Sequence, residues 1–180
     1  IVLARELFGR DVDYESCHSF DLGESFGLTS AQRDVLLDAA HEDLALESMR
    51  PVDGAAAILA EWRDTGHEVH IVTGRPPSTL PATRRWLARM RMPHSTIASV
   101  DKYGRQAHLA DAVPLRALAQ RRFEVAIEDS IPMAQFLAEE TGARVLLLDR
   151  PWNRDLSRLP AATQTKVQRV VSWVEIASLL

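Results

Sequence analysis

Two spacings of apolar residues alternate along residues 51–180. Short runs of consecutive or alternating apolar residues are typical of strands, and segments in which apolar residues recur every third or fourth position are typical of helices. The predicted strands are "EVHIVT", "TIASV", "FEVAIE", "RVLLLD" and "KVQRVV". Strands that alternate with helices of about 10 to 15 residues form parallel sheets covered by helices. The pattern therefore predicts an α/β fold with a parallel sheet.

Residues 1–50 have a helical pattern instead. Thr29 and Gln32 have the spacing of a capping box, in which each residue satisfies the other's backbone N–H. A single apolar stripe is expected on the helix that follows, formed by Val35, Leu36, Ala39, Ala40 and Leu44. We therefore predict two parts, a small helical cap region over residues 1–50 and an α/β core over residues 51–180.

Single prolines, glycines and serines predict several helix ends. Proline is tolerated in the first turn of a helix, so Pro114 predicts a helix that runs to Arg121, and Pro132 predicts another near its own position. Gly142 is expected to end that second helix, because glycine readily adopts the left-handed conformation of a helix terminus. Ser172 is placed to cap the last helix.

Composition narrows the class of protein. The 180 residues are 46% hydrophobic and 26% charged, as in ordinary globular proteins, and no apolar run approaches the about 20 residues of a membrane span. A net charge of -4 argues against broad binding of a nucleic-acid polymer, which needs a basic surface. The single cysteine, Cys17, cannot form an intramolecular disulfide, so we expect a reducing, cytoplasmic setting and a buried, unreactive thiol.

Ligands of parallel α/β sheets bind at the carboxyl ends of the strands. The strand "HIV" is followed there by Thr73, Gly74 and Arg75. A hydroxyl, a glycine that permits close backbone approach and a planar guanidinium together favour a phosphate-binding turn. The alternative is an ordinary turn that needs the glycine for its conformation, with Arg75 in solvent.

The strand "VAI" ends in two adjacent carboxylates, Glu128 and Asp129. Neighbouring negative charges at a partly buried strand end repel each other and lose hydration, unless a cation or hydrogen-bond donors lie nearby. Mg²⁺ meets that need, since it typically takes one or two carboxylates together with waters and phosphate oxygens. The alternative is that the two acids cap the next helix and complement its dipole.

The order of these motifs, "TGR", then "IEDS", then "LLLDRPWNRD", resembles the haloacid dehalogenase-like phosphohydrolases. Within them, "SFDLGESFGL" and "RPVDGAAAILAEWRDTGHEVHIVTGRP" are similar to the branch of cytosolic 5'(3')-deoxyribonucleotidases and related bacterial hydrolases. The resemblance covers nearly the whole chain. It implies a Rossmann-like three-layer core and Mg²⁺-dependent hydrolysis of a small phosphorylated substrate, with a nucleotide as the leading class.

The resemblance also implies roles for individual residues. Thr73 would bind the phosphate through its hydroxyl and Gly74 through its amide, and at least one of Glu128 and Asp129 would bind Mg²⁺. The reaction would pass through an aspartyl-phosphate intermediate that water then hydrolyses. Trp152 is expected to pack rather than to recognise a base, and Asp149 and Arg150 to line the rim of the site.

Two features depart from the family pattern. The Asp-x-Asp strand that supplies the nucleophile is missing; Asp11 and Asp13 have its spacing but do not follow a buried strand, so we expect the motif upstream of Ile1. The family lysine should fall near Val113 or Pro114, which cannot serve. Lys102 is the candidate for the catalytic role of that lysine. The alternative is that Lys102 is an ordinary solvated residue of a turn, and His108 is a weaker candidate for the role.

Two other functional classes fit parts of this sequence. A degenerate phosphohydrolase fold that binds a phosphorylated ligand or a protein partner without turnover would also lack the Asp-x-Asp motif. A response-regulator-like receiver also combines paired acids, threonine and lysine on a parallel sheet. It usually places the acid pair at its first strand, whereas Glu128 and Asp129 come late in this chain. The sequence does not predict an oligomeric state.

Overall fold

The computed structural model describes residues 1–106 and 108–180. Within them, the strands are β1 (His70–Thr73), β2 (Thr96–Asp101), β3 (Val113–Pro114), β4 (Val125–Glu128), β5 (Arg144–Leu148) and β6 (Val167–Val170). They form two three-stranded sheets, in the orders β1-β2-β3 and β4-β5-β6, and every pair is parallel. The predicted α/β fold with parallel strands is confirmed, and it is Rossmann-like in its alternation of strands and helices.

The register aligns the strand ends that the sequence singled out. In the first sheet Thr73 lies opposite Ser99. In the second sheet Glu128 lies opposite Leu147, and Leu148 lies opposite Val170. The carboxyl ends of β1 and β2 therefore lie side by side, as do those of β4, β5 and β6.

Helices connect and precede the strands. They are α1 (Val2–Phe8), α2 (Leu22–Phe26), α3 (Ser30–His41), α4 (Asp43–Ser48), α5 (Ala55–Asp64), α6 (Leu80–Arg89), α7 (Ile131–Phe136), α8 (Ala161–Gln164) and α9 (Trp173–Ser178). Short 3₁₀ helices cover Tyr14–Ser16, Pro77–Thr79, Leu115–Gln120, Pro151–Asn153 and Leu156–Arg158. None of the helices in the described part of the chain has the length and apolarity of a membrane span.

The predicted caps are confirmed. The Gln32 N–H donates to Thr29 Oγ1 at 3.3 Å, and the Thr29 N–H donates to Gln32 Oε1 at 3.0 Å. The Glu175 N–H donates to the Ser172 hydroxyl at 3.1 Å. These side chains satisfy backbone groups that have no partner within the helix.

Two details of the predicted helices are wrong. Pro114 does not lie inside a helix: it is extended, pairs with Asp101 in the first sheet, and precedes the 3₁₀ helix Leu115–Gln120. Proline suits that edge position because it offers no N–H to a further strand. The single stripe before residue 50 is also interrupted, since Glu42 is extended and places Leu44 in α4, where it is 86% exposed.

The chain divides into two compact units. Unit 1 comprises Ile1–Ala40 and Arg122–Val171 and contains the sheet β4-β5-β6. Unit 2 comprises His41–Arg121 and Ser172–Leu180 and contains the sheet β1-β2-β3. Residues 1–50 hold α1 to α4, as their helical pattern indicated, and their role as a cap on a core at 51–180 stays a prediction.

Each unit has its own apolar packing. In unit 1 the central strand β5 is buried over Val145–Leu148, and Cys17 lies in a separate buried cluster with Ala4, Phe26 and Leu36. The prediction of a buried cysteine is confirmed, and burial raises the pKa of the Cys17 thiol, which disfavours the reactive thiolate. In unit 2 a cluster of Ala55, Leu59, Leu87 and Met92 packs behind β1 and β2, next to the ring pair Trp62 and Trp173.

Gly142 ends the helical segment before β5 in a left-handed backbone conformation, and substitution there tests whether that conformation requires glycine. Five residues of wider π-helix, Leu137–Thr141, follow α7, and Gly142 ends them with φ 76°. A Cβ there would meet no atom within 4 Å, so a side chain would cost backbone strain alone. We expect Gly142→Ala to lower the free energy of unfolding by about 1 to 2 kcal/mol in urea denaturation.

Gly142→Asn is the matched control, because asparagine tolerates the left-handed conformation better than alanine. We expect the asparagine variant to be more stable than the alanine variant. Equal losses in the two variants would contradict conformational strain as the cause.

Candidate functional site

The turn after β1 contains the predicted phosphate-binding residues. Thr73 ends the strand, and its Oγ1 accepts the N–H of Arg75 at 3.2 Å. This bond closes a tight turn around Gly74 and uses the hydroxyl as an acceptor only, which leaves its own hydrogen for a ligand oxygen. The local sequence thus forms the turn that was predicted.

Gly74 permits the close approach of a second predicted residue. A Cβ at this position would lie 3.4 Å from Lys102 Cδ and 3.3 Å from Tyr103 Cε2. The contact with Tyr103 is tighter than nine in ten of those made by real Cβ atoms, and the contact with Lys102 is at the border of ordinary van der Waals contact, so a larger residue at position 74 would need Tyr103 to shift. The structure therefore brings Lys102 against the Thr73–Arg75 turn, in the same unit.

Two buried polar side chains donate hydrogen bonds to backbone carbonyls of this turn. The Ser99 hydroxyl donates to the Arg75 carbonyl at 2.6 Å, and Gln106 Nε2 donates to the Gly74 carbonyl at 2.6 Å. Ser99 is 2% exposed and Gln106 is 7% exposed. The sequence analysis missed both. A hydroxyl within the apolar strand "TIASV" could have indicated a buried polar role for Ser99, whereas nothing in the sequence pointed to Gln106.

Arg75 carries a partly buried positive charge that pairs with no carboxylate among residues 1–106 and 108–180. Among the described residues, its guanidinium contacts one side chain, donating from Nη2 to the thioether Sδ of Met49 at 3.2 Å. Burial lowers the pKa of the Arg75 guanidinium from its usual value, although the group stays charged at neutral pH. The ordinary alternative, with Arg75 in solvent, does not describe this side chain.

The acid pair lies in unit 1 at the end of β4. Glu128 and Asp129 are both half-buried, and Glu128 Oε1 accepts the N–H of Asp129 at 3.1 Å. Ser130 follows as the N-cap residue of α7, but its fully buried hydroxyl has no hydrogen-bond partner among the described residues. Neither observation assigns a role to the carboxylates.

The backbone of Asp129 is fixed by the 3₁₀ helix Pro151–Asn153. Its carbonyl accepts the indole N–H of Trp152 at 3.0 Å and the Asn153 amide at 2.9 Å. Trp152 also packs edge-to-face against Tyr14 and Phe20, with ring centroids 6.0 and 6.3 Å away. The prediction that Trp152 packs is confirmed.

Asn153 connects the ends of all three strands of its sheet. Its Nδ2 donates to the carbonyls of Asp129, after β4, and of Leu148, in β5. Its Oδ1 accepts the Arg150 N–H and Nη1 of Arg169 from β6. With no exposed surface, Asn153 has both hydrogens and both lone pairs satisfied. The sequence analysis missed this role, because no local pattern shows that Asn153 is buried beneath three strand ends.

The residues predicted at the rim have structural partners. Asp149 accepts from Arg169 Nη1 at 2.7 Å and lies 3.4 Å from Arg154 Nη2. The Arg150 guanidinium donates to the Asp149 carbonyl at 2.8 Å. These contacts bind the strand ends together, and a rim function for Asp149 and Arg150 stays a prediction.

The acid pair at the end of β4 is the predicted metal site of unit 1. Over residues 1–106 and 108–180, no group of three or more His, Cys, Asp or Glu side chains is placed to hold one. Glu128 and Asp129 provide two carboxylates, which fits Mg²⁺ because this ion keeps waters and substrate oxygens as its other ligands. Asp13 instead caps the 3₁₀ helix Tyr14–Ser16, and Asp11 is exposed.

Two known proteins are similar to most of this chain. A protein of Halalkalibacterium halodurans named "Putative nucleotidase" is 26% identical over 170 residues, which are 94% of this chain and 78% of that protein. A protein of Bacillus cereus named "Putative nucleotidase" is 28% identical over 174 residues, which are 96% of this chain and 82% of that protein. No protein-family model matches the chain. The chain is therefore similar, at low identity, to two proteins that carry the name of a nucleotidase.

Removal of Asn153 tests the network that fixes Asp129. Asn153→Ala removes four hydrogen bonds of a buried amide: those to the carbonyls of Asp129 and Leu148, and those from the Arg150 N–H and Arg169 Nη1. The Asp129 carbonyl keeps its bond from Trp152, so we expect the free energy of unfolding to fall by about 3 kcal/mol. Chemical denaturation followed by circular dichroism measures this loss.

The control is Arg154→Ala, whose side chain is about half exposed and pairs with Glu15 at 2.9 Å. We expect a much smaller change there, since exposed ion pairs contribute little. An Asn153→Ala protein as stable as Arg154→Ala would show that the network does not hold these strand ends.

Proposed function

We propose that this chain is the main part of a Mg²⁺-dependent phosphomonoesterase of the haloacid dehalogenase-like type, acting on nucleoside monophosphates. The observation that carries the proposal is the cationic turn in unit 2, where Thr73, Gly74 and Arg75 meet Lys102. Both similar proteins are named as nucleotidases, which supports a nucleotide as the class of substrate.

The turn has the chemistry that a phosphoryl group requires. The Thr73 hydroxyl can donate to one oxygen, and Arg75 offers a planar fork that matches two oxygens. The aliphatic part of Lys102 lies beside Gly74, and its ammonium group would supply the positive charge of the family lysine. A partly buried guanidinium regains from a bound anion the interactions that burial removed, so an anion is the ligand that this turn favours.

Glu128 and Asp129 would hold the magnesium ion. Two carboxylates are within the range that Mg²⁺ takes from protein. When bound, the ion would neutralise charge on the phosphoryl oxygens. The Asp129 backbone, fixed by Trp152 and Asn153, would limit the movement of its carboxylate relative to β4.

The nucleophile of this reaction would be an aspartate upstream of Ile1. The matched regions cover 78% and 82% of the two similar proteins, so both contain residues outside the match. Attack of the carboxylate on phosphorus would expel the nucleoside, and water would then cleave the acyl phosphate. Thr73, Arg75 and Lys102 would bind the oxygens on which charge develops.

A substrate panel tests the proposed reaction. The natural protein, extended to its own N-terminus, would be assayed with nucleoside 5'- and 3'-monophosphates and p-nitrophenyl phosphate, with Mg²⁺ and with excess chelator. We expect phosphate release from at least one nucleotide that stops with the chelator. A protein inert towards every phosphoester that still binds inorganic phosphate would instead support the degenerate, non-catalytic binder.

The metal role of Asp129 has a direct test. We expect Asp129→Asn to weaken Mg²⁺ binding at least about tenfold in titration calorimetry, because an amide oxygen replaces a carboxylate. Asp155→Asn is the matched control: Asp155 lies in the same unit and caps the 3₁₀ helix Leu156–Arg158. Equal Mg²⁺ affinity in the two variants would reduce Asp129 to a structural residue.

A further inference from the structure

Met49 lies directly against the charge of the proposed phosphate turn. Its thioether Sδ accepts Nη2 of Arg75 at 3.2 Å, across 26 residues of sequence and within unit 2. A thioether is a weak acceptor, whereas an oxyanion forms strong, charge-assisted bonds with a guanidinium. The sulfur therefore competes with any anion at this turn for one of the five N–H donors of the guanidinium.

The backbone of Met49 is held while its side chain remains adaptable. The Met49 carbonyl accepts the indole N–H of Trp86 at 2.8 Å. The preceding helix α4 is tied to α6 by Arg85, which reaches Asp43 and Glu47, each at 2.7 Å. Methionine has three rotatable side-chain bonds, so its thioether can leave Arg75 at small cost when an anion arrives.

We propose that Met49 is a redox-sensitive gate on the Arg75 anion site, closed by oxidation of its thioether to the sulfoxide. The proposal rests on the phosphate-binding function proposed above. A peroxide would transfer one oxygen atom to the sulfur: the O–O bond breaks, an S–O bond forms with the sulfur electron pair, and the peroxide is reduced to water or an alcohol.

The product would change the partner of Arg75. A sulfoxide oxygen is a much stronger acceptor than a thioether and would form on the sulfur atom that already contacts Nη2. The sulfoxide oxygen would accept a strong hydrogen bond from the partly buried guanidinium. A phosphate oxygen would then have to displace the sulfoxide oxygen from Arg75. Oxidation at this position therefore lowers the affinity of the turn for an anion.

The other methionines lack this arrangement. Met92 and Met133 are 8% and 2% exposed, so an oxidant reaches them poorly. Met90 is half-buried, but it packs on the apolar cluster that includes Leu59 and Leu87. Of the four methionines in the chain, Met49 is the one in contact with a guanidinium of the proposed site.

The test compares inorganic phosphate binding before and after oxidation. Wild-type protein would be treated with hydrogen peroxide, Met49 oxidation quantified by peptide mass spectrometry, and phosphate affinity measured by titration calorimetry. We expect affinity to fall about tenfold, the effect of losing one charge-assisted hydrogen bond, and to return after methionine sulfoxide reductases act.

Two variants assign the effect to Met49. Met49→Leu cannot form a sulfoxide, so its phosphate affinity should be the same before and after peroxide, although it retains Cys17 and the other methionines. Met49→Gln carries a carbonyl acceptor near the sulfoxide position, so it should bind phosphate weakly without peroxide. Met90→Leu should lose affinity on oxidation as the wild type does.

The outcomes separate this proposal from the function on which it rests. Tight phosphate binding by untreated wild type, with no loss after complete Met49 oxidation, would overturn the gate and leave the phosphate site standing. A loss of affinity in peroxide-treated Met49→Leu would also overturn it, since another residue would then be responsible. No phosphate binding by untreated protein would overturn the phosphate site and the gate together.

Discussion

The partly buried guanidinium of Arg75 is the charge on which the proposed chemistry depends. A charge that leaves water loses hydration, and proteins usually restore that loss with a carboxylate or a set of acceptors. Arg75 has instead a thioether, with a weak capacity to accept hydrogen bonds. The thioether replaces only part of the hydration that burial removes. An anion that binds Arg75 would therefore gain strong hydrogen bonds without displacing a strong partner. The buried Ser99 and Gln106 fix the backbone of the turn, so the anion need not order it.

Asn153 shows how one buried amide can hold the strand ends of a small parallel sheet together. Apolar packing of β5 aligns the middle of the sheet, but it does not fix the backbone beyond the strands. The Asn153 amide, with all its hydrogen bonds formed, connects three residues: Asp129 directly after β4, Leu148 in β5 and Arg169 in β6. Since an unsatisfied buried group is costly, such a network favours one arrangement over nearby alternatives.

The sequence predicted features that depend on local chemistry and missed those that depend on distant contacts. Strand periodicity, the Thr29 cap and the turn at Gly74 follow from neighbouring residues, and all are present. Pro114 was misplaced because the same fixed φ suits both an extended strand end and the start of a helix. Met49 and Gln106 could not be found, since each meets the turn across more than 25 residues of chain.

The weak partner of Arg75 would give the proposed anion site an advantage over two other designs. An arginine paired with a carboxylate would be well satisfied, but each binding event would have to break that pair and leave a carboxylate beside the incoming phosphate. An arginine left in solvent would bind without such a conflict, but it would gain less from each contact because water competes. A thioether avoids both difficulties: it covers the guanidinium, has no charge to repel phosphate, and can move aside. The contact between Met49 and Arg75 thus combines partial burial with availability, and in the proposed gate the same property would make anion binding sensitive to a single added oxygen atom.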